Sequence, residues 1–151
     1  MSIRYAHTCV VATDWRRLAA FYERVFACER LLPERNNSGE WVDRLTGLQH
    51  VHVRGVHLRL PNPGCDGVSP TLEIFQFDPS ADRFPVAVNR PGFAHIAFQV
   101  DDVQEMRARV LGAGGQALGE VVTADIAGAG TAILVYLTDP EGNVIELQQW
   151  A

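Results

Sequence analysis

The sequence lacks the features that mark several large classes of protein. No apolar run approaches the roughly 18 residues that a membrane-spanning helix needs. Residues 1–5 lack the long apolar segment of a secretion signal. There is no dense cluster of Lys or Arg, and the formal net charge is −5, which disfavours contact with a phosphate backbone. We therefore expect a protein that binds neither nucleic acid nor membrane.

Cysteine is scarce, and its arrangement does not suggest disulfide bonds. The three cysteines, Cys9, Cys28 and Cys65, lie far apart, and the chain has no Cys-x-x-Cys pair. An odd number of isolated thiols is typical of a reducing compartment, so we predict a cytoplasmic protein. The chain also lacks a His-Glu-x-x-His helix, a nucleophile elbow and a phosphate-binding loop.

What the sequence does contain is an internal repeat. Residues 5–10 and 93–98 are short apolar runs that each carry one histidine at the same place. An aspartate follows each histidine by seven positions and precedes a segment with apolar residues at helical spacing. Asp14 and Asp102 are therefore predicted to cap helices. A repeat of this kind predicts two similar half-domains.

Each half has the pattern of a strand, a helix and three strands. This order predicts an α+β fold built from paired βαβββ modules. We expect one domain over residues 1–151, with a first module at 1–78 and a second at 92–151. The segment between the modules contains three prolines and no clear period, so it is predicted to be a linker.

Three details of the strands can also be predicted. A strand near residues 28–35 is expected to stop at the turn-rich segment 36–39. The apolar residues change phase near Gly55, which predicts a β-bulge there. In the second half, one strand is expected at about residues 117–123, before a glycine-rich loop.

Two glutamates and two histidines are the best candidates for chemistry. Glu73 and Glu146 lie at matching places, each between aliphatic residues. Each therefore faces the other side of its sheet, with aromatic residues, where an ionised carboxylate needs a partner such as a metal ion. With His7 and His95 they give a His2Glu2 set that suits Zn, Ni, Co, Mn or Fe(II). A core histidine and a solvated glutamate are the alternatives for each residue alone, but recurrence in both halves favours the metal site.

Other side chains on these faces are candidates for contact with a substrate. His57 and Tyr136 match when counted back from Pro61 and Pro140, and both could line a cavity. Two half-exposed strand side chains are the alternative. Further aromatic residues are predicted to form an apolar wall: Phe75, Phe77 and Trp150.

The repeat and its motifs resemble a known family. The most specific pieces are residues 18–22, 93–102 and 139–146. With the four candidate ligands they resemble the vicinal oxygen chelate superfamily, which includes glyoxalase I, methylmalonyl-CoA epimerase, fosfomycin resistance enzymes and ring-cleaving dioxygenases. The resemblance covers nearly the whole chain. It implies a curled eight-stranded mixed sheet around a metal-centred cavity, in a homodimer.

Within that family, the ligand set is similar to that of glyoxalase I (lactoylglutathione lyase) and the epimerase. The resemblance implies a lyase or isomerase that removes a proton next to a carbonyl of a small-molecule substrate, with Glu146 or Glu73 as the base and a metal-stabilised enediolate. Glyoxalase I has an arginine and an asparagine for glutathione where this chain has Val11 and Phe77. The identity of the carbonyl substrate therefore stays open.

Two other activities remain open within the same family. One is non-catalytic binding of a drug or metabolite, as in bleomycin resistance proteins, which usually lack the full ligand set. The other is an Fe(II) ring-cleaving dioxygenase, whose site would use His7, His95 and Glu146 and would leave Glu73 without a role.

Overall fold

The computed structural model describes residues 3–62, 70–85 and 87–151, so Cys65 lies outside the described residues. The chain forms two compact units, Met1–Asp82 and Arg83–Ala151. The first contains β1 (His7–Val11), α1 (Trp15–Phe26), β2 (Glu29–Ser38), α2 (Glu40–Thr46), β3 (His52–Arg59) and β4 (Thr71–Asp78). The second contains β5 (Ile96–Gln99), α3 (Val103–Gly112), β6 (Gln116–Ala117), β7 (Val122–Ile126), β8 (Gly130–Thr138) and β9 (Val144–Trp150). None of these helices is long and apolar enough to cross a membrane.

The first unit is a four-stranded mixed sheet covered on one face by α1. Its strand order is β1-β4-β3-β2, with β1 parallel to β4 and the other pairs antiparallel. The helix begins as predicted, because the side chain of Asp14 accepts the backbone N–H of Arg17 at 3.1 Å. Its apolar face packs on β3 and β4 and is fully buried at Leu18 and Tyr22. Burial of this face orients the sheet, so the alternate side chains of each strand lie on the opposite face.

The predicted bulge at Gly55 is wrong. β3 pairs with β4 without interruption from His52 to Arg59. The irregularity lies in the neighbouring strand β2, between Leu31 and Arg35. The phase of the apolar residues changes because both faces of β3 are covered.

A small core under α2 covers the second face of β3. It consists of Val42, Val51 and Val53, with the rings of Phe75 and Phe77 packed against it. α1 covers the other face. Local periodicity cannot distinguish this arrangement from a bulge, because both place apolar residues at odd and even positions in turn.

The second unit is a five-stranded mixed sheet with the order β5-β9-β8-β6, and β7 also pairs with β8. β5 runs parallel to β9. The predicted cap of α3 is confirmed, since the Asp102 carboxylate accepts the backbone N–H of Glu105 at 2.9 Å. The turn before β9 is organised by Asp139, which is 1% exposed and accepts two backbone N–H groups.

The α+β class is confirmed, with two corrections in the strands. β2 continues through Ser38, because Asn37 and Ser38 pair with Val53 and His52 and this ladder outweighs their preference for turns. The strand predicted at 117–123 is two short strands, β6 and β7, which both pair with β8. The described residues therefore contain nine strands in two sheets.

Candidate metal centre

In the first unit, the sheet register brings several polar side chains to one face. Cys9 pairs with Glu73 across the parallel strands β1 and β4, and His57 pairs with Glu73 across β3 and β4. Side chains alternate between the faces of a strand, so His7 and Thr71 share this face too. It is the face opposite α1.

Glu73 is the centre of this group. One carboxylate oxygen, Oε2, lies 3.2 Å from Nε2 of His7, and the other, Oε1, lies 2.8 Å from Nε2 of His57. Glu73 is only 9% exposed, although it is a charged residue. The His7 and His57 rings meet edge to face with centroids 5.6 Å apart. The two imidazoles therefore do not stack on each other, and both direct Nε2 to the same carboxylate.

The remaining nitrogen of His57 also has a partner. Nδ1 lies 3.1 Å from Oγ1 of Thr71. Burial is the main cause that lowers the pKa of His57; the charges of Arg35 and His7 act in the same direction, and Glu73 opposes them. A lowered pKa favours the neutral imidazole, which is the form that binds metals.

Cys9 also contacts Glu73, a neighbour that sequence reasoning missed. The residue is exposed as a whole, but surrounding atoms partly cover its sulfur. This burial, together with the charge of Glu73 and a hydrogen bond to it, raises the pKa of Cys9 to about 12. The thiol is therefore protonated at neutral pH. Alternation along β1 gave a signal in the sequence, because Cys9 lies two residues after His7 on the same face.

The second unit contains a simpler version of the same arrangement. Nε2 of His95, the residue before β5, lies 3.0 Å from Oε2 of Glu146 on β9. Ala97 is the partner of Glu146 across the parallel strands, where Cys9 partners Glu73 in the first unit. Tyr136 pairs with Glu146 across β8 and β9, and its ring lies 5.2 Å from that of His95.

Each unit thus brings together the histidine and the glutamate that the sequence singled out from that half. In the first unit, donor atoms of His7, His57 and Glu73 all lie within 4.8 Å of one another. Imidazole nitrogen and carboxylate oxygen are ligands for divalent transition metals. The chemistry and spacing of these donors therefore fit such an ion.

The aromatic residues that the sequence proposed as a wall have different surroundings. Phe75 lies on the face of Glu73, with its ring centroid 5.9 Å from that of His57. Phe75 and Phe77 also pack on the core under α2, so they have a structural role as well. Trp150 is 36% exposed, and its indole N–H donates to Oε1 of Gln148 at 3.2 Å.

Comparison with known proteins gives one clear family. The family model described as Glyoxalase/Bleomycin resistance protein/Dioxygenase superfamily matches residues 4–147. No curated protein sequence is similar enough to this chain to count as a relative.

Solved structures give matches over almost the full length. A glyoxalase family protein from Bacillus cereus is 25% identical with a TM-score of 0.83, and the match covers 99% of this chain and 95% of that one. A glyoxalase family protein from Enterococcus faecalis is 23% identical with a TM-score of 0.60, over 96% of both chains. A fosfomycin resistance protein from Listeria monocytogenes, in complex with Mn(II) and sulfate, is 15% identical with a TM-score of 0.58, over 100% of this chain and 95% of that one.

Proposed function

The chain belongs to the glyoxalase/bleomycin resistance protein/dioxygenase superfamily, and we propose that it is a metal-dependent lyase or isomerase of the glyoxalase I or epimerase type. The reaction is removal of a proton next to a carbonyl of a small molecule. One observation carries the proposal: both units pair a histidine in or directly before the first strand with a partly or fully buried glutamate, at 3.2 Å for His7 and Glu73 and at 3.0 Å for His95 and Glu146.

We propose that these four residues bind one divalent transition metal: Zn, Ni, Co, Mn or Fe. The repeat supports this assignment, since it supplies the same two donor types from both halves. Burial supports it too, because Glu73 and Glu146 have side chains only 12% and 13% exposed, and a carboxylate withdrawn from water needs a compensating charge. A bound divalent ion supplies Lewis-acid polarisation of a carbonyl oxygen.

The glutamates differ in how they are held, and this difference supports Glu146 as the base. Both oxygens of Glu73 face a histidine, His7 or His57. Within the described residues, an ion pair of Glu146 is found only at Oε2, with His95. A base must turn toward the substrate proton and accept it. Glu146 has more freedom to do so, and Glu73 is the second candidate.

Side chains around the two pairs are proposed to position the substrate. Tyr136 and His57 flank Glu146 and Glu73 on neighbouring strands. The rings of Phe75, Phe77 and Trp150 are proposed to supply apolar contacts. The homodimer and the cytoplasmic location stay predictions, and light scattering of the purified protein measures the first of them.

Metal content and proton exchange together test the function. The purified protein should bind one transition metal per chain, and the loaded protein should exchange the carbon-bound proton of a thioester or convert a hemithioacetal in a panel of such compounds. His7→Ala should lose the metal. Glu146→Gln should lose exchange by at least about 100-fold, the usual contribution of a general base.

The control is His52→Ala, because His52 is another histidine of the first unit and its ring contacts Asn36. A parent protein that binds no transition metal from the set named above contradicts the proposal. Metal binding without exchange in any compound favours the binding-protein alternative. Oxygen consumption with a catechol favours the dioxygenase.

A further inference from the structure

Glu73 in the first unit contacts two imidazoles, whereas Glu146 in the second unit contacts one. At the position of His57 the second unit has Tyr136, which pairs with Glu146 as His57 pairs with Glu73. A phenol is a poor substitute for an imidazole as a ligand of the metals considered above. The two halves are therefore unequal in donors, and the difference lies on the strand beside the glutamate.

We propose that His57 is a ligand of this metal rather than a contact of the substrate, and that His7, His57 and Glu73 hold the divalent transition metal even when the donors of the second unit are removed. The inference shares His7 and Glu73 with the proposed function and rests on it for their role as ligands. It adds a donor that the four-residue set does not contain.

The two histidine contacts of Glu73 have lengths close to those between neighbouring ligands of one ion. Nitrogen and oxygen ligands lie about 2.1 Å from such metals, so two neighbouring ligands lie about 3.0 Å apart at right angles and about 3.4 Å apart in a tetrahedron. The observed separations are 3.2 Å from Oε2 of Glu73 to Nε2 of His7 and 2.8 Å from Oε1 of Glu73 to Nε2 of His57. Two histidines and one carboxylate, with further positions open, are a known ligand set for divalent iron.

Thr71 supplies the support that a metal-binding histidine normally has. Such a histidine donates its second ring N–H to an oxygen, which fixes the tautomer and the direction of the ring. Oγ1 of Thr71 lies 3.1 Å from Nδ1 of His57. A hydroxyl can accept as well as donate, so Thr71 can accept from Nδ1 when Nε2 is bound to a metal.

A purely structural role for His57 is the competing explanation. In that case its Nε2–H only donates to Glu73, and a side chain with an amide N–H would serve as well. Loss of an outer hydrogen-bond partner of a metal ligand typically weakens metal binding by about 10–100-fold. Loss of one of three ligands should cost more, and glutamine should not replace it.

The test removes the second unit's donors and then His57. Full-length His95→Ala/Glu146→Ala should still bind one Co²⁺ per chain in equilibrium dialysis. Adding His57→Gln to it should weaken Co²⁺ binding by more than about 100-fold. Adding His52→Gln instead is the matched control and should change binding less than about twofold. Circular dichroism of the metal-free variants checks that they are folded.

Two results overturn the inference. One is a His95→Ala/Glu146→Ala protein that is folded but binds no Co²⁺ while the parent binds one, which leaves the four-residue centre standing. The other is a loss of less than about 100-fold on adding His57→Gln. A parent that binds no metal overturns the inference and the proposed function together.

The visible absorption spectrum of bound Co²⁺ in single variants gives a second test. It does not depend on the variant with three substitutions. Replacement of an imidazole nitrogen by an oxygen ligand shifts the visible absorption of bound Co²⁺. The spectrum of His57→Gln should therefore differ from that of the parent, and the spectrum of His52→Gln should not. An unchanged spectrum in His57→Gln overturns the assignment of His57 as a ligand.

Discussion

Gly55→Ala should destabilise the first unit strongly, because the strand next to it leaves no space for a methyl group. A Cβ at this position would lie 2.1 Å from the carbonyl oxygen of Ile74, 2.4 Å from Cδ1 of Phe75 and 2.9 Å from Cα of Phe75. Two of these three atoms are backbone of β4, which pairs with β3 over its whole length. The clash cannot be relieved by a change of rotamer alone.

The expected cost is about 3 kcal/mol, at the upper end of the usual range for overpacking, since the ladder itself must move. For a chain of 151 residues, such a loss lowers the melting temperature by about 6–12 °C. Urea unfolding followed by tryptophan fluorescence measures it, because Trp15 and Trp41 belong to the first unit and Trp15 is buried. The substitution should also weaken metal binding, since the ring of Phe75 that it displaces also contacts the ring of His57.

Gly112→Ala is the matched control. Gly112 is the last residue of α3, and a Cβ there meets nothing within 4 Å. Alanine favours a helix over glycine by up to about 1 kcal/mol, so this variant should be as stable as the parent or slightly more so. If Gly55→Ala unfolds within about 0.5 kcal/mol of the parent, the close approach of β3 and β4 is refuted.

Three further predictions concern the turn, the thiol and the ion. Asp139→Ala should lower the free energy of unfolding by about 3 kcal/mol, because the buried carboxylate accepts hydrogen bonds from two backbone N–H groups and from Nδ2 of Asn143. Asp125→Ala, at an exposed position, should lower it far less. Thermal unfolding measures both, and equal losses would contradict the reasoning. Cys9, with a pKa raised to about 12 mainly by burial and further by Glu73, should react with iodoacetamide at pH 8 about 1,000-fold more slowly than an unperturbed thiol, and Glu73→Gln should speed the reaction. Peptide mapping measures both rates; a free-thiol rate in the parent would refute the burial of the thiol, and an unchanged rate in Glu73→Gln would refute the contact with Glu73. A transition metal at 100 times its Kd should stabilise the protein by about 2.7 kcal/mol, seen as a rise in melting temperature that a chelator reverses; no rise at saturation would contradict a site built in the folded state.

The parts of the fold that sequence predicts well are local. Asp14 and Asp102 each cap the helix that follows at once, so a few neighbouring residues carry the whole signal. The failures involve partners distant in sequence. β2 reaches Ser38 only because β3 pairs with it, and the apolar phase at Gly55 is explained only when Val42 of α2 is known to cover Val53.

The candidate site shows the same division. The repeat in the sequence identified the histidine and the glutamate of each half, and these do lie within contact distance in each unit. The repeat did not identify the further residues that surround Glu73. Cys9 and Thr71 reach the site through the register between strands, which a single sequence does not specify.

The two glutamates have different surroundings because the two halves differ at the positions next to them. Cys9 stands where the second half has Ala97, and His57 stands where it has Tyr136. Both differences add polar partners to Glu73, and within the part of the chain that the structure describes neither adds a hydrogen bond or ion pair to Glu146. A carboxylate held by more partners has a more fixed orientation, but it is less able to turn and accept a proton. An unequal pair of this kind therefore favours a division of roles, in which Glu73 keeps the ion in place and Glu146 exchanges the proton.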